Sequence, residues 1–257
     1  MMTQGLKKLY GARALTTDGA EAVMFVDAES AFLRSASVQS IFSSWFARRV
    51  IFFDRTIGPP FMDVLEHAAH LVSPGRDPGD FTVNKTKRLN LFGVQRWIVE
   101  GDVLAAYFEH VELMHKTAPL SAVLNNFGNQ FEIVTVQFFI FLHQNRFPVY
   151  HFINYEEILP IYLPGNLARD YLAAHRSDRH HGTGLECYLG HTTPAMAEGL
   201  ARFTVEYGIT LARTECAPHD VLPCIFARAP QLSLSVCSEA LPNMTINCSQ
   251  SKGLVQA

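Results

Sequence analysis

Long apolar runs are missing from this 257-residue chain. Its most apolar tract, Ile133–Leu142, carries Thr135 and Gln137 and follows Glu132. It falls short of the roughly 20 residues that span a bilayer. Lys7 and Lys8 stand near the start, but the next apolar stretch, Ala22–Val26, is too short for the core of a secretory signal. The Asn-x-Ser/Thr triplets at Asn84, Asn243 and Asn247 are therefore expected to be chance matches. Surplus positive charge is missing too: 21 Lys and Arg face 24 Asp and Glu, a net charge of -3. That excludes a broad basic surface for nucleic acid or acidic lipid. Cysteine pairs of the CxxC kind are absent; Cys187, Cys216, Cys224, Cys237 and Cys248 are odd in number and irregularly spaced. They read as free buried thiols rather than disulfides or a zinc site. The expectation is a soluble, cytoplasmic protein with no transmembrane segment and no nucleic-acid partner.

The strong catalytic motifs are also lacking. There is no GxxxxGK[ST] phosphate loop, no GxGxxG after a first strand, no GxSxG elbow and no HExxH. Ordinary ATPases, dinucleotide oxidoreductases, serine esterases and zinc proteases are set aside on that ground. Internal repeats and low-complexity tracts are absent as well.

What is present is a composition fit for a packed core, 48% apolar and 18% charged. The length allows one large domain or two small ones, at roughly 100–200 residues each. Short apolar runs alternate with helical patterns. Ala22–Val26 reads as a buried strand ending at Asp27, and 30–49 as a helix. Val50–Phe53 reads as a strand ending at Asp54. After a turn at Gly58-Pro59-Pro60, the apolar residues Phe61, Val64, Leu65, Ala68 and Val72 recur at helical spacing, and 73–80 is a loop. Asp102 is a suitable N-cap for a helix with the apolar face Leu104, Tyr107, Val111 and Met114. Ser121–Asn125 and Val149–Ile153 read as strands. Between them, 131–142 has β-forming residues but the length and position of a helix, and helix is the expectation.

In the last third, Leu185–Leu189 is strand-like and Pro194 fits the first turn of a helix with the face Met196, Leu200, Phe203 and Tyr207. Gly208 then stands where a helix-ending glycine belongs, and 209–211 starts another strand. Asp220 caps a short helix that Pro230 stops, and Leu232, Leu234 and Val236 alternate with Ser233 and Ser235 as a strand does. The whole predicts an α/β fold with a Rossmann-like, largely parallel sheet. If there are two domains, they are 1–164 and 165–257, divided near Pro164-Gly165.

Parallel sheets bind ligands beyond the carboxyl ends of their strands, so the polar residues that follow each apolar run are the candidates. Glu156 and Glu157 follow 149–153 directly, and a carboxylate there suits a general base for a hydroxyl. A solvated acidic corner is the bland alternative. Gly190-His191-Thr192-Thr193-Pro194 joins a strand to a helix start, where free N–H groups and the dipole hold phosphate and His191 adds a proton or charge. The threonines also suit plain capping. Ser235 and Ser238 lie at or past a strand end and suit hydrogen bonding to an anion. His175, His180, His181 and His191, with Glu186, offer metal-ligating groups at irregular spacing beside Arg176 and Arg179. Glu112 and His115 make an ExxH pair of the di-iron kind, with His67, His70 and Glu66 as poor counterparts. No metal and no cofactor is expected.

The order Glu156-Glu157, then His191-Thr192-Thr193-Pro194, then Ser235-Val236-Cys237-Ser238 resembles bacterial sialyltransferases and polysialyltransferases of the two-domain GT-B type. Those have an acidic motif, a His-Pro motif and a Ser-Ser pair in that order. Tyr188–Leu241 is the most similar segment. The chain departs from the pattern at Ile158, where the family has Gly, in the two threonines before Pro194, and in the separated serines. The stretch from Glu157 to His191 is shorter than a second Rossmann-like domain requires, so the resemblance implies a reduced one. It implies an inverting glycosyltransferase with a nucleotide-sugar donor, a CMP-activated acidic sugar, and a glycan or other hydroxyl acceptor. Glu156 or Glu157 would be the base and His191 would stabilise the leaving phosphate. Thr192, Thr193, Ser235 and Ser238 would bind substrate. A non-catalytic α/β binding protein and a histidine-based metal-dependent hydrolase remain as alternatives.

Overall fold

A computed structural model describes residues 2–26, 30–32, 36–53, 59–76, 82–83, 87–88, 91, 97–125, 132–177, 194–209 and 211–213. The chain divides into two compact units. The first comprises Met1–Val26, Ile51–Phe92 and Trp97–Ile153; the second comprises Asp27–Val50, Gly93–Arg96 and Asn154–Ala257.

The first unit is built on helices α1 (Met2–Thr17), α3 (Pro59–Val72), α4 (Gly101–His115), α5 (Pro119–Asn125) and α6 (Glu132–Leu142). Every residue of α6 from Glu132 to Ile140 is buried, and the helix packs on α3, α4 and α1. This explains how a segment rich in Val, Ile and Phe becomes helical. A helix satisfies its own backbone N–H and C=O groups, so an element enclosed by helices loses no hydrogen bond, and tertiary burial overrides β-propensity. Apolar side chains all round the helix match burial on all sides. Phe138 and Phe139, each worth about 1.5–3 kcal/mol in water-to-core transfer, are fully buried, and the Phe139 ring lies 5.8 Å from that of Tyr107 on α4.

Short strands complete this unit. Strand β1 (Ala22–Met24) pairs antiparallel with β6 (Ile98–Glu100), Val23 opposite Val99. Strands β4 (Thr82–Val83) and β5 (Lys87–Arg88) form a second antiparallel ladder. Strand β3 (Arg49–Phe53) pairs with β7 (Tyr150–Asn154) in the parallel ladder.

In the second unit, α2 (Val38–Ala47) begins at Ser37, whose Oγ accepts from the Ser40 amide at 3.0 Å, and buries Ile41 and Trp45. Strand β2 (Ser30–Phe32) pairs antiparallel with β8 (Leu211–Arg213). Helices α7 (Tyr155–Tyr162) and α8 (Asn166–Ser177) are joined by a turn containing Pro164 and Gly165, and α7 packs on both α8 and α9 (Pro194–Glu206). At the α7–α9 contact Gly199 lies against the backbone of Tyr162 and the side chain of Leu163, where a Cβ would collide with the Tyr162 carbonyl.

The architecture is mixed α/β with small sheets. Three of the four described ladders are antiparallel, so the alternation of strand and helix in the sequence overstated how parallel the described strands are. The expected helix over 30–49 is instead a strand, Ser30–Phe32, and a shorter helix from Val38 to Ala47. The pairing of Ser30–Phe32 with Leu211–Arg213 is remote in sequence and outside the reach of local periodicity. Ser121–Asn125 is helical, not a strand, because Pro119 presets the first turn of α5. Glu100, extended at φ -82 and ψ 148, is the N-cap of α4; Asp102 lies inside the first turn, its Oδ1 2.8 Å from the Val103 amide. The helix over 131–142, the Pro194 helix and the strands at 22–26 and 50–53 all form, with small shifts at their ends, and Gly208 has φ 63 as a helix-ending glycine does. The 149–153 strand forms one residue later. No helix among the described residues is long and apolar enough to cross a membrane.

Candidate functional site

Strand β7 runs straight into α7, and its last residue, Asn154, is the N-cap. The Asn154 side chain is used at both ends. Its Oδ1 accepts from the Glu156 amide at 3.1 Å, which closes the first helical turn. Its Nδ2 donates to Glu157 Oε1 at 2.6 Å. Asn154 is buried, Glu156 is partly buried and Glu157 is exposed. A buried amide thus holds a solvent-facing carboxylate in one orientation at the carboxyl end of a parallel strand. The helix N-terminus favours negative charge at both glutamates. Pro160 lacks the N–H that would reach back to the Glu156 carbonyl. The chemistry open to this corner is proton abstraction by an oriented carboxylate.

Of the other residues singled out in the sequence, His191, Thr192, Thr193, Ser235 and Ser238 lie outside the described residues, as do the expected strands at 185–189 and 232–236 and the short helix capped by Asp220. Pro194 does open α9. His175 is on α8, and His180, His181 and Glu186 are outside the described residues. On α4, Glu112 is exposed while His115 turns to α3, where its Nε2 donates to the Leu71 carbonyl at 2.8 Å. The His115 ring is 6.2 Å from that of His70. Among the described residues no group of three or more His, Cys, Asp and Glu is arranged to hold a metal.

Two polar clusters escaped the sequence reading. Glu100, 8% exposed at the end of β6, accepts from the Tyr150 hydroxyl at 2.9 Å. It follows the run Trp97-Ile98-Val99, so the rule of inspecting polar residues after apolar runs would have found it. The second cluster is histidine-rich. His110 Nε2 donates to the Val72 carbonyl at 2.6 Å, and the His110 and His143 rings lie 4.8 Å apart. No local pattern announces this, because the three elements that meet there are 38 and 33 residues apart. Comparison with known protein families, curated proteins and solved structures gives no match for this chain.

Proposed function

We propose that the chain is an inverting glycosyltransferase that uses a nucleotide-activated sugar, with Glu157 as the base. The observation that carries this reading is the Asn154–Glu157 hydrogen bond at the end of β7, which orients an exposed carboxylate without burying it. The order of acidic, histidine and serine motifs supports the same reading. In it Glu157 takes the proton of the acceptor hydroxyl as that oxygen attacks the anomeric carbon. The bond from that carbon to the phosphate breaks, and the nucleotide leaves with the electron pair. In this reading His191 and the start of α9 stabilise the departing phosphate, and Thr192, Thr193, Ser235 and Ser238 bind substrate, the two serines at its nucleotide end. Glu156 is the alternative base. The fold belonging to this reading is a reduced GT-B arrangement, acting in the cytoplasm.

Release of CMP from a CMP-activated acidic sugar, with and without a panel of glycan acceptors, tests it. Wild-type protein releases CMP in an acceptor-dependent way. Glu157→Gln, which keeps an acceptor for Asn154 but cannot take a proton, lowers the rate by roughly a hundredfold or more. Absence of acceptor-dependent release in wild type, or unchanged rates in both Glu157→Gln and Glu156→Gln, overturns the reading.

A further inference from the structure

His143 closes α6: its amide bonds to the Phe139 carbonyl at 3.1 Å, and its own carbonyl accepts from Arg146 at 2.8 Å and Phe147 at 3.1 Å. It is the backbone hub of the turn that leads from α6 into β7. Phe147 anchors that turn, buried against Phe139 with ring centroids 5.6 Å apart. The His143 ring packs on Phe139 at 4.8 Å and on His110 at 4.8 Å. His110 is fixed in its turn. A carbonyl can only accept, so His110 Nε2 carries the proton in its 2.6 Å bond to Val72 at the end of α3. Three elements therefore meet through two imidazoles.

We propose that His110 and His143 form an acid-sensitive latch that holds the α6–β7 turn against α4 and the end of α3 and releases it on acidification.

The groups acting on His143 are His110 from α4 and Arg146 from its own turn, and both oppose a positive charge there. Burial against Phe139 is the larger cause, and together they hold the His143 pKa below the ordinary histidine value. The C-terminal end of α6 acts the other way and favours the cation. The sign follows from linkage. A histidine that binds its proton less tightly when the turn is closed favours the closed form fully above about pH 6.5. That preference is lost as pH falls below this value. A charged His143 then meets the His110 ring at 4.8 Å and the repulsion of Arg146, and opening the turn hydrates it. The latch does not depend on the transferase reading.

Amide hydrogen exchange on the intact chain tests this, corrected for the intrinsic pH dependence of exchange. Protection of the Arg146, Phe147 and Tyr150 amides should fall by about threefold or more between about pH 7.5 and about pH 5.5, while Val136 in α6 is unchanged. His143→Gln should abolish the pH response, and Arg146→Gln should shrink it. A flat wild-type profile, a response that persists in His143→Gln, or an equal loss at Val136, which marks global unfolding, each overturns the latch.

Discussion

Glu132 and Glu157 occupy the same station in two different helices, the first turn, where the dipole favours a carboxylate. Their surroundings are opposite. Glu132 is 4% exposed, and its Oε1 lies 3.0 Å from Lys8 Nζ, which in turn sits 5.4 Å from the Trp97 ring centroid. Glu157 faces solvent and is held by a neutral amide. A buried carboxylate with its counter-ion is committed to structure, because removing the cation strands it in low dielectric. A carboxylate oriented by an amide and open to solvent can be reached by a substrate hydroxyl. The same residue type in the first turn of a helix thus stands in two environments, one enclosed with a cation and one open to solvent.

The largest expected effect breaks the buried side of this comparison. Lys8→Met should cost about 3–5 kcal/mol of unfolding free energy in urea titrations, since Glu132 would keep its burial and lose its cation. The double variant Lys8→Met/Glu132→Leu should recover much of that loss. A Lys8→Met chain as stable as wild type would show that Glu132 is not a committed ion.

A smaller effect is expected at the contact of α7 with α9. Gly199→Ala puts a Cβ onto the Tyr162 carbonyl, and α7 and α9 must separate to admit it. Overpacking of this kind costs about 1–3 kcal/mol. Tyr162, Phe203 and Tyr207 form the adjoining aromatic cluster, with ring centroids 5.1–6.4 Å apart. Burial, with Glu206 and Tyr207 nearby, raises the Tyr162 pKa well above the usual phenol value. The loss of near-ultraviolet ellipticity in Gly199→Ala should therefore accompany the fall in stability; unchanged melting and ellipticity would mean that the helices part without cost.

How far the sequence reached follows from the range over which each feature is determined. The helix at Pro194 was legible because its proline start, its apolar face and its Gly208 end all lie within one segment. The acidic corner was legible for the same reason: Asn154, Glu156 and Glu157 are neighbours in the chain, and capping is local physics. The Ser30–Phe32 strand was not legible, since its partner lies beyond residue 210 and a helical pattern can be read across it. Nor was the pairing of half-buried Lys8 with buried Glu132, which joins residues 124 positions apart. The strand expected at Ser121–Asn125 is a helix because Pro119, outside that window, presets its first turn.

The smallest expected effects sharpen the exposed side. Asn154 does two things at once, capping α7 through Oδ1 and holding Glu157 through Nδ2. Substitutions separate them. Asn154→Ala removes both and should cost about 0.5–2 kcal/mol, the scale of a lost N-cap. Asn154→Ser keeps a capping oxygen and lacks the reach to Glu157, so it should cost clearly less than the alanine variant. Glu157→Gln keeps an oxygen for Nδ2 and removes a charge from the helix N-terminus, so its stability should fall by no more than about 1 kcal/mol. If Glu157 is the base, transfer activity should rank in a different order from stability. Glu157→Gln would be nearly as stable as wild type and the least active, and Asn154→Ser would fall between it and wild type in rate because the carboxylate is present but loosely aimed. Parallel ranks for stability and activity across the three variants would make the corner a helix cap and nothing more.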